Sequence, residues 1–189
     1  MGAAVERDER SGGVSFPDAV VRWPRRGDLV GGATSVVEYY HDPLDHYFIT
    51  ALPAEIAALD AGAFAGWRRS GRGFKAWPAA RAGASPVCRF YLPPPQNSHF
   101  YAASPAECGD VAAKYPTFVV ESPNVFHIAL PDTATGNCPT GTAPVYRLYN
   151  NRPDTNHRYT TDPAIKAQMV ARGHIAEGYG PDAVAMCSP

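Results

Sequence analysis

Three histidines stand in closely similar company: DHYFIT at 45–50, SHFYAA at 98–103 and NHRYTT at 156–161. Each follows a small polar residue, precedes an aromatic or polar one, and is followed by a proline, Pro53, Pro105 or Pro163. Such histidines can do three kinds of chemistry. His46, His99 and His157 can each bond a backbone carbonyl, or their neighbours Asp45, Ser98 and Asn156, at the start of a strand. Beside Tyr40, Tyr91 and Tyr149 they can form a shallow sugar site, because tyrosine offers an apolar face and a polar tip. Meeting on a threefold axis, they would leave the open fourth position of a catalytic zinc. The third role needs all three rings to face inward, a direction that the flanking aromatics take more readily. The structural role leads, the sugar site is the candidate for ligand binding, and no metal or cofactor is expected.

Other chemical groups carry weaker signals. Trp67 and Trp77 bracket Arg68, Arg69 and Arg72, which reads as core first and as an aromatic-plus-guanidinium platform second. Glu121 and Glu177 occupy matching places, with Ser70 in the first copy. A pair of carboxylates suits a glycosidase, but repetition favours a shared structural hydrogen bond. There is no GxSxG, HExxH, P-loop or dinucleotide fingerprint, so the expectation leans away from an enzyme.

The elements that position these groups repeat as well. Val37-Glu38-Tyr39-Tyr40 matches Cys88-Arg89-Phe90-Tyr91 and Tyr146-Arg147-Leu148-Tyr149. The alternation predicts strands, with Glu38, Arg89 and Arg147 on the face opposite Tyr39, Phe90 and Leu148. A polar, proline-containing turn follows, and the histidine opens a second strand. A short helix comes next, capped by Ser104 or Asp162 with proline at its first position. Leu52 stands at the cap position of the first copy, so that cap is expected from Thr50. Two further strands close each copy: 67–70 with 74–77, 118–121 with 125–129, and 175–177 with 183–187. The expected fold is mainly β with short helices. Three strand-strand-helix-strand-strand repeats, at about 36–80, 87–132 and 145–187, stand in a closed pseudo-threefold arrangement, β-trefoil-like or propeller-like. Residues 1–34 read as a flexible leader, with an edge strand at 19–23, and 35–189 as one three-repeat domain.

Composition bounds the rest. With 19 prolines and 10 tyrosines, short strands and turns are favoured over long helices. A net charge of −1 argues against nucleic acid as a partner, and no apolar run approaches a membrane span. Cys88, Cys108, Cys138 and Cys187 allow three pairings. Their places favour 88 with 108, within one copy, and 138 with 187, fastening the last strand. Disulfides point to an extracellular location, although the opening MGAAVERDERSGG holds no apolar stretch of a secretory signal.

The strand motif, the His-Phe/Arg-Tyr segment and the Pro-Ala-Glu that follows resemble a repeat family of extracellular bacterial and fungal proteins, domain of unknown function 5648. The resemblance spans roughly residues 36–187. It implies secretion and attachment to a cell wall or polysaccharide, as for an appendage on secreted hydrolases. Arg158 and Leu52 depart from the pattern. The expected function is a secreted, non-catalytic, monomeric binding module for cell-wall or other extracellular glycan. The alternatives are a metal-assisted hydrolase built on the three histidines and a purely structural appendage.

Overall fold

The computed structural model describes residues 32–189. The expected edge strand at 19–23, and all but the end of the expected leader, lie outside these residues. Thr34 already belongs to the first strand.

Ten strands and three helices follow: β1 Thr34–His41, β2 His46–Thr50, α1 Pro53–Asp60, β3 Trp67–Ala76, β4 Ser85–Leu92, β5 Ser98–Ala102, α2 Pro105–Lys114, β6 Val119–Ile128, β7 Ala143–Tyr149, β8 His157–Thr160, α3 Pro163–Ala171, β9 Ile175–Glu177 and β10 Val184–Ser188. They form three small antiparallel sheets, β2-β1-β3, β5-β4-β6 and β10-β7-β8 with β9 also on β7. No sheet closes on itself.

The two closing strands expected in each copy are a single strand in the first two. β3 and β6 each run the full length of their partner and absorb extra residues in a bulge, between Val37 and Tyr39 in the first sheet and between Val87 and Phe90 in the second. A bulge admits unpaired residues while keeping the ladder on either side. At Gly73 a Cβ would strike the Val36 carbonyl, so the chain needs glycine there. In the third sheet the insertion is longer, and Gly178–Ala183 separates β9 from β10.

Helix starts follow their chemistry. Ser104 accepts from the Glu107 N–H, and Asp162 from those of Ala164 and Ile165. Leu52 caps nothing, but Thr50 Oγ1 accepts from the Leu52 N–H and donates to Glu55 Oε2 at 2.6 Å. Gly62 and Gly173, both with positive φ, follow α1 and α3.

One core joins all three sheets. Tyr39, Phe48 and Ile49 pack with Val87, Tyr101 and Phe126 and with Val145, Tyr159 and Met186. Buried tyrosine hydroxyls stitch it together. Tyr101 donates to the Ile49 carbonyl and accepts from the Ile49 N–H, and Tyr159 does the same to Tyr101. Disulfides Cys88–Cys108 and Cys138–Cys187 tie β4 to α2 and the segment before β7 to β10. They indicate an oxidising environment. Among the described residues no helix is long and apolar enough to cross a membrane.

Candidate functional site

Strand register places the repeated histidines differently from their surroundings in sequence. Tyr91 pairs with His99 and Tyr149 with His157, but Tyr40 pairs with Tyr47. The left-handed residue that ends each turn, Asp45, Asn97 or Thr155, lies two positions before Tyr47, His99 or His157. Ring contacts agree: Tyr91 lies against His99 and Tyr149 against His157, while Tyr40 lies against Tyr47. His46 is therefore the counterpart of Ser98 and Asn156, not of His99 and His157. The expected triplet of equivalent histidines is a pair, because the first turn is one residue shorter.

The two sets do different work. His46, Ser98 and Asn156 are all buried. Asn156 donates to the Tyr47 carbonyl at 3.1 Å and to Ser98 Oγ at 2.9 Å, and accepts from the Tyr47 N–H at 2.7 Å. His46 Nε2 stands 3.2 Å from Asp154 Oδ2. Burial pushes the His46 pKa down despite that carboxylate, so the ring is neutral at pH 7.

His99 and His157 stand instead where one sheet meets the next. Arg89, on β4 of the second sheet, is buried and bonds Glu55 of α1 through both terminal nitrogens, at 2.9 and 2.6 Å. Its Nε donates to Glu121 at 2.8 Å, and His99 Nε2 lies 3.2 Å from the same oxygen. The Phe48 ring packs edge-on to His99 and beneath the guanidinium. Between the second and third sheets the pattern recurs. Arg147 bonds Glu107 of α2 at 2.7 Å and Glu177 at 3.0 Å, His157 Nε2 is 3.3 Å from Glu177, and Phe100 takes the place of Phe48.

Burial opposes ionisation of Glu55, Glu121 and Glu177, but the arginine, with Thr50 or the histidine, outweighs it and holds each pKa below the usual range. His157 is held neutral by burial against the pull of Glu177.

Each cluster floors a cleft. The first, of about 200 Å³, is walled by Phe64 and Trp67. The second, of about 550 Å³, is walled by Tyr115 and Phe118, whose rings stack at 4.8 Å. The aromatic pair has the same spacing, three residues in sequence, and the same place in register with the strand that follows the helix. A cleft with carboxylates fixed by guanidinium and aromatic rings beside them presents hydrogen-bond acceptors next to an apolar wall.

The sequence-predicted residues divide accordingly. His99 and Glu121 belong to the first cleft, and His157, Tyr149 and Glu177 to the second. Tyr40 and Tyr91 are half-buried staples of their own turns, donating to Asp45 and Asn97 at 3.0 Å. Trp67 walls the first cleft, whereas Trp77 lies under Arg81. Arg68 and Arg69 are engaged by Asp42 and Asp60. Among the described residues, no group of three or more His, Cys, Asp or Glu is placed to hold a metal, and the three histidines face three different carboxylates. Glu55, Glu107, Phe64 and Tyr115 were not among the expected site residues, although Glu55 and Glu107 repeat two residues after the helix proline.

A mainly β, disulfide-bonded protein of three linked sheets, with ligand-sized clefts at two of their junctions, is the class these features define. The chain belongs to the family described as domain of unknown function (DUF5648), whose model matches residues 18–127 and 132–187. That match begins upstream of the expected domain start at 35. No curated protein and no solved structure matches the chain.

Proposed function

We propose that this chain is a secreted, non-catalytic binding module for a cell-wall or other extracellular glycan, gripping its ligand at the junctions between sheets. The observation that carries the reading is the repetition of one cleft. Arginine, two glutamates, histidine, phenylalanine and an outer aromatic pair recur in the same relative places at two junctions. An ion-pair network that only joined sheets would have no use for exposed rings beside it, whereas carboxylates for hydroxyls and rings for C–H faces are what a sugar needs. The disulfides support an extracellular setting.

We read the three sheets as a closed, pseudo-threefold, trefoil-like ring, monomeric in solution. Contacts running from first to second sheet (Arg89 to Glu55), second to third (Arg147 to Glu107) and third to first (Arg158 to Glu38) support this reading.

Co-sedimentation of the oxidised protein with peptidoglycan, chitin, cellulose and mannan tests the function. Saturable retention on one polymer is expected. No retention on any of them makes the structural-appendage reading the better one.

A further inference from the structure

At the third junction, between the third and first sheets, every one of these cleft positions carries a different residue. Register and helix position fix the correspondence. Where Arg89 and Arg147 stand, the first sheet has Glu38, and where Glu55 and Glu107 stand, α3 has Ile165. Glu121 and Glu177 are replaced by Ser70, and His99 and His157 by Tyr47. The phenylalanine position holds Arg158, and the outer pair Phe64/Trp67 or Tyr115/Phe118 becomes Ala171/His174.

The changes compensate one another as structure and remove the cleft as a site. Arg158 bonds both oxygens of the fully buried Glu38, at 2.9 and 2.8 Å, and Ser70 donates to Glu38 at 2.7 Å. The Arg158 guanidinium lies 4.3 Å from the centre of the Tyr47 ring, as Arg89 and Arg147 lie over Phe48 and Phe100, so what sets this junction apart is its lost carboxylates and outer aromatic pair. A reversed ion pair thus keeps the sheets joined, while the acceptors and the aromatic wall are gone.

We infer that the protein is bivalent: the two intact clefts each bind one segment of a neutral glycan, and the third junction is a silent copy. This rests on the glycan reading above and sharpens it. The ligand class follows from charge and acceptor placement. One guanidinium against two carboxylates leaves the first cleft net negative, and Arg147 with Lys114 against Glu107, Asp110 and Glu177 does the same for the second, which disfavours uronates and other acidic sugars. Both the arginine and the histidine contacts fall on Oε2 of Glu121 and Glu177. Among the described residues, Oε1 of each is left to accept from a sugar hydroxyl. The exposed Phe64 and Tyr115 rings border these acceptors and give the ring C–H groups an apolar surface.

Titration calorimetry with chitotetraose, cellotetraose, mannotetraose and trigalacturonate tests this. Two equivalents of one neutral oligomer per chain are expected, and none of trigalacturonate. Phe64→Ser and Tyr115→Ser, at side chains 55% and 40% exposed, should each reduce the number to one with an unchanged melting temperature, and the double variant should bind none. His174→Ala, at the silent junction, should leave two. Loss of either cleft should lower retention on the matching polymer about 100-fold, since linked sites act together. One or three equivalents, unaltered binding by both single variants, or preference for trigalacturonate would overturn bivalency or the ligand class while leaving a binding module. Absence of binding to every oligomer and polymer would overturn the glycan reading itself.

Discussion

At the scale of single residues, the buried tyrosine hydroxyls bear more than their side-chain size suggests. Tyr159 satisfies both the N–H and the carbonyl of Tyr101 in a dry interior, at 3.0 and 3.1 Å. Tyr159→Phe removes the hydroxyl and keeps the ring, leaving the buried Tyr101 N–H unpaired and its carbonyl with only the long 3.5 Å bond from Arg147. The expected cost is about 1–3 kcal/mol, readable from urea denaturation as a lower midpoint with an unchanged slope. Arg89 is a second such residue. Arg89→Met strands Glu55 and Glu121 without their cation, and breaking a buried pair in this way costs about 3–5 kcal/mol. Removing Glu55 at the same time as Gln should recover part of that loss, and a double-mutant cycle measures how much. Residue identity was also where the sequence misled. His46 shares the motif of His99 and His157, yet the turn before it is one residue shorter, so its side chain falls at the position of Ser98 and Asn156. Composition gives no hint of a one-residue difference in a turn. The prolines that open the helices hold the true register.

At the scale of elements, the strands and helices were legible because their signals are local. Alternation marked β1, β4 and β7, and Ser104 or Asp162 with the following proline marked α2 and α3. The bulged β3 and β6 were not legible, since glycine and polar residues inside a strand look the same as a turn between two strands. The clefts were half legible. Their strand residues repeat visibly, but Glu55 and Glu107 reach the arginine of the next sheet, a long-range pairing that no spacing encodes. The reversed junction offers a prediction at this scale. Glu38→Gln leaves Arg158 buried without its carboxylate and is expected to lower stability by about 3–5 kcal/mol. Replacing the pair together by Glu38→Leu and Arg158→Met should cost less than either single change. Chemical denaturation of the unaltered protein, the three single variants and the double variant checks the order.

At the scale of the whole molecule, acid should loosen the fold in two stages. Burial holds the folded-state pKa of His46 and His157 below the ordinary 6.5. The unfolded chain therefore takes up protons first as pH falls below that value, and stability declines with it. Glu55, Glu121 and Glu177 have folded-state pKa values below the ordinary 4.5. Their contribution is complete above pH 4.5 and is lost as pH falls through the folded values. Thermal melts from pH 8 to 3 should show a shallow fall below about 6.5 and a steeper one below about 4.5. His157→Gln is expected to flatten the first stage. The bridge Cys138–Cys187 closes a loop of 49 residues, worth about 4 kcal/mol by loop entropy. Its replacement by two alanines should lower the melting temperature more than the same change at Cys88–Cys108, which spans 20 residues.

The reversed polarity of Glu38 and Arg158 also sets where a further unit would find matched neighbours. A further unit added after the third would bring its arginine against Ile165, where no carboxylate waits. One added before the first would set the glutamate of its helix against Glu38, like charge against like. The pattern of charges therefore works as a start and a stop mark. Electrically matched neighbours for a further unit exist only between the first and the third, where its arginine meets a helix glutamate and its own glutamate meets an arginine.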